Sequence, residues 1–257
     1  MSIDAVGAVA ISLLGLAIGS FLNVCIHRVP REASVISPGS RCPSCGYVLR
    51  WFDNIPVISY VLLAGRCRQC RTPISIRYPI VELVTMGVFL VHYFIFGLSA
   101  LLVARLVFAC ALIVLFVIDL EHHLLPNVIT LPGIVAGFAF SLILPPGPIS
   151  SAIGILVGGG VLWLIGEAYY RYAGQEGMGG GDVKMLAMIG AFLGWKLVIV
   201  TLVFSSITGA IIGLLVIAMR RGDMKYALPY GTFLALAALI ASLFGDRIVA
   251  WYVGMYV

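Results

Sequence analysis

Two acidic residues lie where acids are rarely found, at the ends of long apolar stretches. Asp119 closes the run Phe116-Val117-Ile118, and Asp182 follows the glycine-rich segment 177–181. A carboxylate beside lipid is costly, so each is a candidate functional residue. Two close carboxylates share a proton, so one can activate water while the other polarises a carbonyl group. The pair therefore predicts an aspartyl protease that cuts a peptide bond at a membrane surface.

Each acid also has a purely structural interpretation. Asp182 resembles a helix N-cap after a glycine turn, and Asp119 resembles an interfacial acid at a helix end. No G-K-[ST] follows the glycines, which argues against a phosphate-binding loop. Asp119, His122 and His123 have the i, i+3, i+4 spacing of metal ligands, but neither an H-E-x-x-H motif nor a third obvious ligand accompanies them. Two such acids on one predicted membrane face favour the catalytic pair.

The one long polar loop contains two C-x2-C pairs separated by 21 residues, which are Cys42 with Cys45 and Cys67 with Cys70. This is a four-thiolate arrangement of the zinc type, one residue beyond the usual spacer range. A loop of about 50 residues is small for a self-supporting core, so a metal ion would supply folding energy. A redox C-x-x-C site and metal-free thiols are the alternatives. Cys25 and Cys110 lie inside apolar runs and are expected to be packing residues.

The elements that position these residues are expected to be membrane helices, because 61% of the residues are hydrophobic and the mean hydropathy is +1.10. A soluble chain of 257 residues could not bury so much apolar surface. Apolar runs of spanning length occur near 5–26, 79–97, 99–118, 127–144, 149–170, 197–219 and 227–249, with a shorter one at 183–194. The predicted fold class is therefore all-α, a polytopic membrane helix bundle of about eight spans, one of them short.

The basic residues support eight spans and an orientation. With eight, one face receives the arginines of the 27–78 loop together with Arg171, Lys184, Arg220, Arg221 and Lys225, and the other receives only Lys196 and Arg247. The positive-inside rule then places the N-terminus outside the cytoplasm and the loop within it. The net charge of +5 comes from basic residues beside the spans, so it reflects membrane topology. It does not indicate binding to nucleic acid. We expect a first span at 1–26, a cytoplasmic tetracysteine domain at 27–78 and a protease core at 79–257.

Three further features have ordinary interpretations. Arg105 and Glu167 lie within apolar spans and either pair with each other or extend to an interface. Glu82, just inside the second span, suggests an interfacial salt bridge. The run 158–160 of three glycines is expected to be a close helix-packing surface.

The chain resembles the bacterial type IV prepilin peptidases. The resemblance rests on Gly19-Ser20-Phe21-Leu22-Asn23-Val24 with His27-Arg28-Val29-Pro30, both C-x2-C pairs, Asn54-Ile55-Pro56, Ser59-Tyr60, Arg77-Tyr78-Pro79 with Glu82, Ile118-Asp119, Leu125-Pro126-Asn127 and Gly177-Met178-Gly179-Gly180-Gly181-Asp182-Val183-Lys184. It runs from the first span nearly to the end of the chain. The glycine–aspartate motif alone is moderately specific, whereas all these elements in this order are very specific.

The resemblance implies membrane aspartyl proteases whose two catalytic acids correspond to Asp119 and Asp182, with Gly179, Gly181 and Lys184 as the supporting loop. Such enzymes sit in the bacterial inner membrane. They remove the leader of type IV prepilins and type II secretion pseudopilins on the cytoplasmic side, just after a glycine.

Members with the long cysteine loop also methylate the new N-terminal amine with S-adenosylmethionine. This loop has no Rossmann-type G-x-G-x-x-G motif, so the spacing of its residues does not locate the methyl-donor site. The resemblance implies that this site is at Asn54, Gly65 and Glu82. The resemblance therefore implies both activities, a methyl donor and, from the cysteine spacing, structural zinc.

The sequence departs from the family pattern in one place that bears on substrate fit. In Pro229-Tyr230-Gly231-Thr232, a threonine stands where the family often has proline after glycine. The alternative functions are a peptidase whose cysteine loop is purely structural, a proton-coupled transporter and a non-enzymatic assembly protein. The transporter predicts broken helices in two related halves, and the sequence has no such internal symmetry.

Overall fold

A computed structural model describes residues 3–175, 179–219 and 229–255, and within these ranges the regular structure is helical. The only β-type pairings there are two isolated bridges in the cysteine loop. The eight α-helices are α1 (Ile3–Arg28), α2 (Ile58–Leu62), α3 (Arg77–Phe96), α4 (Ala100–His122), α5 (Asn127–Ser141), α6 (Pro148–Ala173), α7 (Gly180–Met219) and α8 (Tyr230–Gly254). The all-α fold class predicted from the sequence is confirmed.

Six of the described helices (α1, α3, α4, α6, α7 and α8) are long and apolar enough to cross a membrane, and α5 is a shorter apolar helix of 15 residues. Helix α7 breaks at Gly194, where φ is 77° and ψ is 173°. The first limb, 180–193, is about 21 Å long at 1.5 Å per residue, which is too short to span a bilayer. This limb corresponds to the short apolar segment predicted at 183–194. Arg220, Arg221 and Lys225 lie outside the described residues.

The chain forms two compact units, Met1–Leu102 and Val103–Val257. In the first unit, α1 packs along α3 at glycines that leave no room for a side chain. A Cβ atom on Gly19 would lie 2.7 Å from the Cα of Glu82, and one on Gly15 would lie 2.7 Å from the Cα of Met86. This close approach brings the C-terminal turns of α1 beside the first turns of α3, next to the cysteine loop.

In the second unit, the first limb of α7 is the most buried element. Met185, Leu186, Met188 and Ile189 have no exposed side-chain surface. They pack in one apolar cluster with residues of α4, α6 and α8. A limb that does not span the bilayer must be surrounded by protein, because its free ends need partners for their backbone groups.

The glycines of α6 allow α7 to pack closely, as predicted for 158–160. A Cβ atom on Gly158 would lie 2.5 Å from the carbonyl oxygen of Leu186, whereas one on Gly160 would meet nothing within 4 Å. Close packing of this kind is usual where membrane helices present small residues.

The suggested pairing of Arg105 with Glu167 is wrong. Glu167 Oε1 accepts a hydrogen bond from Arg171 Nε at 2.8 Å, one turn along the same helix. Arg105 interacts electrostatically with Asp246 of α8 instead. The local i, i+4 pairing of Glu167 is the common one on a helix surface.

Candidate active site and cysteine cluster

Asp119 lies in the last turn of α4 and is buried, with 5% of its surface exposed. Its Oδ2 accepts two hydrogen bonds from Thr232, one from the backbone N–H at 2.7 Å and one from Oγ1 at 3.1 Å. Thr232 is in the first turn of α8, where backbone N–H groups have no partner within the helix. The start of α8 therefore forms a site for a carboxylate, and Asp119 fills it.

Gly231 makes this contact possible. A Cβ atom at this position would lie 3.0 Å from Asp119 Oδ2 and 2.8 Å from Leu125 Cδ1. A Cβ on Gly181, at the start of α7, would lie 2.9 Å from Leu125 Cβ. Both glycines thus let the chain pass close to Leu125, in the loop that follows α4. The starts of α7 and α8 meet the end of α4 at this point.

Asp182 is in the first turn of α7 and is partly buried. Its carboxylate is close enough to Asp119 for the two to interact electrostatically. Among the described residues, no hydrogen-bond donor reaches the Asp182 side chain. Helix α7 begins at Gly180, so Asp182 lies inside its first turn and not at the capping position. The N-cap interpretation of Asp182 is not supported.

Of the residues predicted to support the acids, Gly179 lies beside the Asp182 carboxylate and Lys184 bonds to another helix. Gly179 adjoins the carboxylate, since a Cβ atom there would lie 3.7 Å from Asp182 Oδ2. Lys184 Nζ donates a hydrogen bond to Asn127 Oδ1 at 2.9 Å, which links α7 to α5. Gly177 and Met178 of the predicted motif lie outside the described residues.

Asp119, His122 and His123 do not gather into a metal site. In the described ranges, the four loop cysteines are the only group of such side chains with ligand atoms close enough to hold one ion. His122 and His123 are exposed on the protein surface, while Asp119 is buried. The alternative of a metal site at this helix end is therefore not supported.

The four loop cysteines come together through two similar backbone turns. In the first, Cys42 N–H bonds to Tyr47 O at 2.9 Å, and in the second Cys67 N–H bonds to Thr72 O at 2.9 Å. An isolated bridge closes each turn, Arg41 with Val48 and Arg66 with Pro73. Each turn presents both of its sulfurs to the same point.

The sulfur positions fit one tetrahedral ion. All four Sγ atoms lie within 4.8 Å of one another, with Cys42 to Cys70 at 3.7 Å and Cys45 to Cys67 at 4.0 Å. Zinc–sulfur bonds of about 2.3 Å place tetrahedral sulfurs about 3.8 Å apart. All of the cysteines are free thiols, and Cys25 and Cys110 are not part of the cluster. The geometry is compatible with structural zinc.

The cluster also has the electrostatics of a cation site. The hydroxyl and N–H of Thr72 lower the pKa of the Cys70 thiol to about 6. The N–H of Tyr47 lowers the pKa of Cys45, but desolvation and the neighbouring thiols of Cys70 and Cys42 outweigh it and raise this pKa to about 12. Adjacent thiols do not all ionise without a positive charge among them. A divalent cation bound by the sulfurs removes this repulsion.

Comparison with known proteins agrees with this arrangement. Residues 13–96 match the model of the bacterial peptidase A24 N-terminal domain, and residues 106–214 match that of the type IV leader peptidase family. The chain belongs to the type IV leader peptidase family. It is therefore an enzyme, as the sequence resemblance predicted.

Relatives from three bacteria have the same name. A "Prepilin leader peptidase/N-methyltransferase" of Pseudomonas aeruginosa is 37% identical over 268 residues, covering 93% of this chain and 91% of the relative. One of Legionella pneumophila is 35% identical, covering 96% and 94%. One of Myxococcus xanthus is 42% identical over 82% of this chain, which spans 63% of that relative's length. No solved structure matches the chain significantly.

Of the three residues expected at the methyl-donor site, two line one cavity and the third does not. Asn54 and Glu82 line a cavity of the first unit. Gly65 does not line it, but packs against Tyr60, which does. Gly65 has φ of 66°, and a Cβ atom there would lie 3.0 Å from the Tyr60 hydroxyl oxygen. Gly65 therefore contacts the cavity only indirectly, by leaving room for the Tyr60 side chain that lines it.

Asp53 is a structural residue of the cysteine loop that the sequence analysis missed. Its side chain is fully buried, and it accepts hydrogen bonds from Arg68 Nε at 2.6 Å, Tyr47 Oη at 3.1 Å and the Arg50 N–H at 3.2 Å. Tyr47 follows the first cysteine pair and Arg68 lies inside the second, so Asp53 links the two turns. Asp53 is the only acidic residue between the two cysteine pairs, and this was the feature of the sequence that could have identified it.

We expect Asp53→Asn to increase the rate of zinc release to a chelator by about tenfold, the effect of losing one hydrogen bond to a charged group.

Burial raises the pKa of Asp53, but the bonds from Arg68, Arg50 and Tyr47 outweigh it and hold the pKa below 3.8. The stabilisation is therefore present above pH 3.8 and is lost as the pH falls through the folded-state pKa. Chelator competition at pH 7 measures the effect, with exposed Glu32→Gln as the matched control. Equal release rates in the wild type and Asp53→Asn would contradict the linking role.

Proposed function

We propose that this chain removes the leader peptide of type IV prepilins and pseudopilins and then methylates the new N-terminal amine. The observation that carries the proposal is the pairing of Asp119 with Asp182, which interact electrostatically where α4, α7 and α8 meet. Membership of the leader peptidase family and the printed names of the relatives support it. The substrate helix lies in the membrane, with its glycine cleavage site at the cytoplasmic interface.

The hydrogen bonds of the pair favour different roles for the two acids. Asp119 accepts two bonds from Thr232, and donors of this kind stabilise an ionised carboxylate. Asp182 lies beside that charge, so the shared proton is favoured on Asp182. Asp119 thus takes a proton from a water molecule while the oxygen of that water attacks the scissile carbonyl carbon. Asp182 gives its proton to the carbonyl oxygen. The C–N bond then breaks as the amine nitrogen takes up the proton from Asp119. One hydroxyl group of the tetrahedral intermediate returns its proton to Asp182 as the carbonyl double bond reforms.

The cysteine loop serves the second activity in this proposal. Cys42, Cys45, Cys67 and Cys70 bind Zn²⁺ as a structural ion, which fixes the two turns and the Asp53 link between them. S-adenosylmethionine supplies an electrophilic methyl group for the new N-terminal amine. The basic residues of the loop and the positive-inside rule support its placement in the cytoplasm of a bacterium, with the N-terminus on the other side of the inner membrane.

We expect Thr232→Val to reduce the kcat for leader cleavage about tenfold while KM changes little. The reason is that the hydroxyl donates to the charged form of Asp119, and such bonds contribute about 1.5–3 kcal/mol. Thr232→Ser keeps the hydroxyl and should restore the rate, whereas a packing role would not separate serine from valine in this way. The rates are measured with purified protein and a prepilin in detergent.

The matched control for this prediction is Thr208→Val. The Thr208 hydroxyl bonds only within its own helix, to Phe204 O at 2.8 Å and Ser205 O at 3.1 Å. This variant should cleave at the wild-type rate. Wild-type kcat in Thr232→Val would contradict the role assigned to the Thr232 hydroxyl.

Mass spectrometry of a prepilin incubated with the purified protein tests the proposed function. Loss of the leader mass supports the peptidase, and a further gain of one methyl group only with S-adenosylmethionine supports the methyl transfer. Leader loss without methylation would favour a peptidase whose cysteine loop is purely structural. No cleavage of several different prepilins would contradict the proposed substrate class.

A further inference from the structure

A tyrosine joins the start of α8 to the second limb of α7. Tyr230, the first residue of α8, places its hydroxyl oxygen 3.1 Å from Ser205 Oγ and 3.3 Å from Ser206 Oγ. Both serines follow the break of α7 at Gly194. Ser205 is fully buried, whereas Ser206 is exposed. Three hydroxyl groups therefore form a polar contact between two apolar helices.

The direction of these hydrogen bonds follows from the single proton that each hydroxyl group carries. Ser205 Oγ donates its proton to Leu202 O at 3.0 Å, within its own helix. Ser205 therefore accepts the proton of Tyr230, and the Tyr230 oxygen accepts the proton of Ser206. The bonds form one chain from Ser206 to the backbone of α7, with Tyr230 in the middle. Linked bonds of this kind polarise and strengthen one another in a medium of low dielectric constant.

Packing alone does not require the Tyr230 hydroxyl group. The side chain packs against the apolar cluster of the second unit, and a phenylalanine ring would pack in the same way. The simplest role of the bonds is to give a hydroxyl group partners among apolar helices. The position of Tyr230, two residues before Thr232, indicates a further role.

The first turn of α8 holds Asp119 in place. Thr232 donates its N–H and its hydroxyl group to Asp119 Oδ2, so both donors depend on the position of this turn. Pro229, the residue before the helix, has no side-chain oxygen with which to cap it. Through Thr232 the turn is attached to α4, and through Tyr230 it is attached to α7.

Helix α7 carries the other acid of the pair, Asp182. The apolar cluster joins α8 to both limbs of α7, and Tyr230 adds a polar contact close to Thr232. Apolar burial is non-directional, whereas a hydrogen bond restricts both distance and angle. The Tyr230 contact therefore limits the movement of the first turn of α8 relative to the helix that carries Asp182.

We propose that Tyr230 is a positioning residue for the aspartate pair. Its hydroxyl group fixes the first turn of α8 against α7 and so holds the two Thr232 donors at Asp119. Tyr230 acts through Thr232 and takes no direct part in proton transfer. The proposal rests on the peptidase half of the proposed function and adds a residue to its site.

Kinetics of leader cleavage by Tyr230→Phe test this assignment, with the purified full chain and a prepilin in detergent. The variant keeps the ring and loses only the hydroxyl group. We expect kcat to fall about threefold, the usual effect of one hydrogen bond between membrane helices, while KM stays close to that of the wild type. Tyr172→Phe removes an exposed hydroxyl group from α6 and should cleave at the wild-type rate. A wild-type kcat in Tyr230→Phe, or a change confined to KM, would overturn the proposal.

A double-mutant cycle distinguishes action through Thr232 from a general effect on the fold. Tyr230→Phe should slow the Thr232→Val variant by a smaller factor than it slows the wild type. Some effect should remain, because the Thr232 N–H is still present in this background. Effects of the two changes that simply multiply would contradict positioning through Thr232.

Substitution of both serines keeps the proposal testable if Tyr230→Phe does not fold. Ser205→Ala combined with Ser206→Ala removes both partners of the tyrosine hydroxyl group, and we expect a similar loss of kcat. Ser206→Thr keeps a hydroxyl group and should cleave at the wild-type rate. A wild-type kcat in the double alanine variant would overturn the proposal.

The wild type separates failure of this proposal from failure of the proposed function. If the wild type removes no leader, the peptidase activity itself fails. If the wild type cleaves and Asp119→Asn does not, but Tyr230→Phe cleaves at the wild-type rate, only the positioning role of Tyr230 fails.

Discussion

Replacing either Asp119 or Asp182 with asparagine is expected to reduce leader cleavage by about 10⁴-fold, the upper range for loss of a general acid or base. In Asp119→Asn the side chain keeps its shape and can still accept the Thr232 hydrogen bonds, but it no longer takes a proton from water. In Asp182→Asn the proton for the carbonyl oxygen is missing. The double variant should be no slower than the worse single variant, since the two residues act as a unit.

Glu121→Gln is the matched control for these variants, because Glu121 lies on the same helix end but is exposed. It should cleave at the wild-type rate. Thermal unfolding should show that the aspartate variants are folded, and their prepilin affinity should be close to that of the wild type. Cleavage within tenfold of the wild type by either folded asparagine variant would rule out the pair.

Substitution of Cys42 or Cys67 by serine is expected to remove bound zinc and abolish methylation while leader cleavage continues. The apparent binding free energy of a structural zinc ion is about 10–16 kcal/mol, so turns that bind such an ion depend on it for their fold. Removing one thiolate leaves three ligands and an open coordination position. The cavity of the first unit that Asn54 and Glu82 line should be lost with the turns, since Cys42 and Cys67 also line it.

Cys110→Ser is the matched control, because Cys110 lies in α4 and outside the cluster. This variant should retain zinc and both activities. Zinc content measured by elemental analysis and methylation measured by mass spectrometry check the prediction together. A fully methylating wild-type protein that contains no metal would contradict it.

The membrane fold was largely predictable because apolar length is a strong signal. The short segment at 183–194 was recognised from its length and from the charges that follow it, and the structure has a limb of α7 there that ends at Gly194. The second limb of α7, which follows the break, corresponds in the same way to the apolar run predicted at 197–219. Sequence does not show which surfaces pack, so it left open whether Glu167 pairs with Arg105 or extends to an interface, and it did not indicate Arg171 as the partner.

The candidate site was predictable in its acids but not in their surroundings. Asp119 and Asp182 stand out because they are carboxylates beside apolar runs. Thr232 was noticed only as a departure from the family pattern, yet it holds Asp119 with two hydrogen bonds. A proline at this position would have no N–H to donate. The sequence separation of 113 residues hides such a contact until the fold is known.

The polar residues of the first unit were hidden for the same reason. Asn23 belongs to a motif of the first span, but its unpaired oxygen appears only when α1 packs on α3. Asp53 has no periodic signal, because it lies in an irregular loop where burial depends on the cysteine turns. Local patterns identify such residues as candidates, and tertiary contacts decide their roles.

The central claim is tested most directly by intact-mass measurement of one prepilin after incubation with the wild type, Asp119→Asn or Asp182→Asn. The wild type should remove the leader after a glycine, and both variants should leave the prepilin at full length under the same conditions. Removal of the leader by both folded variants at rates near that of the wild type would contradict the account, because the aspartate pair would then not be the catalytic centre.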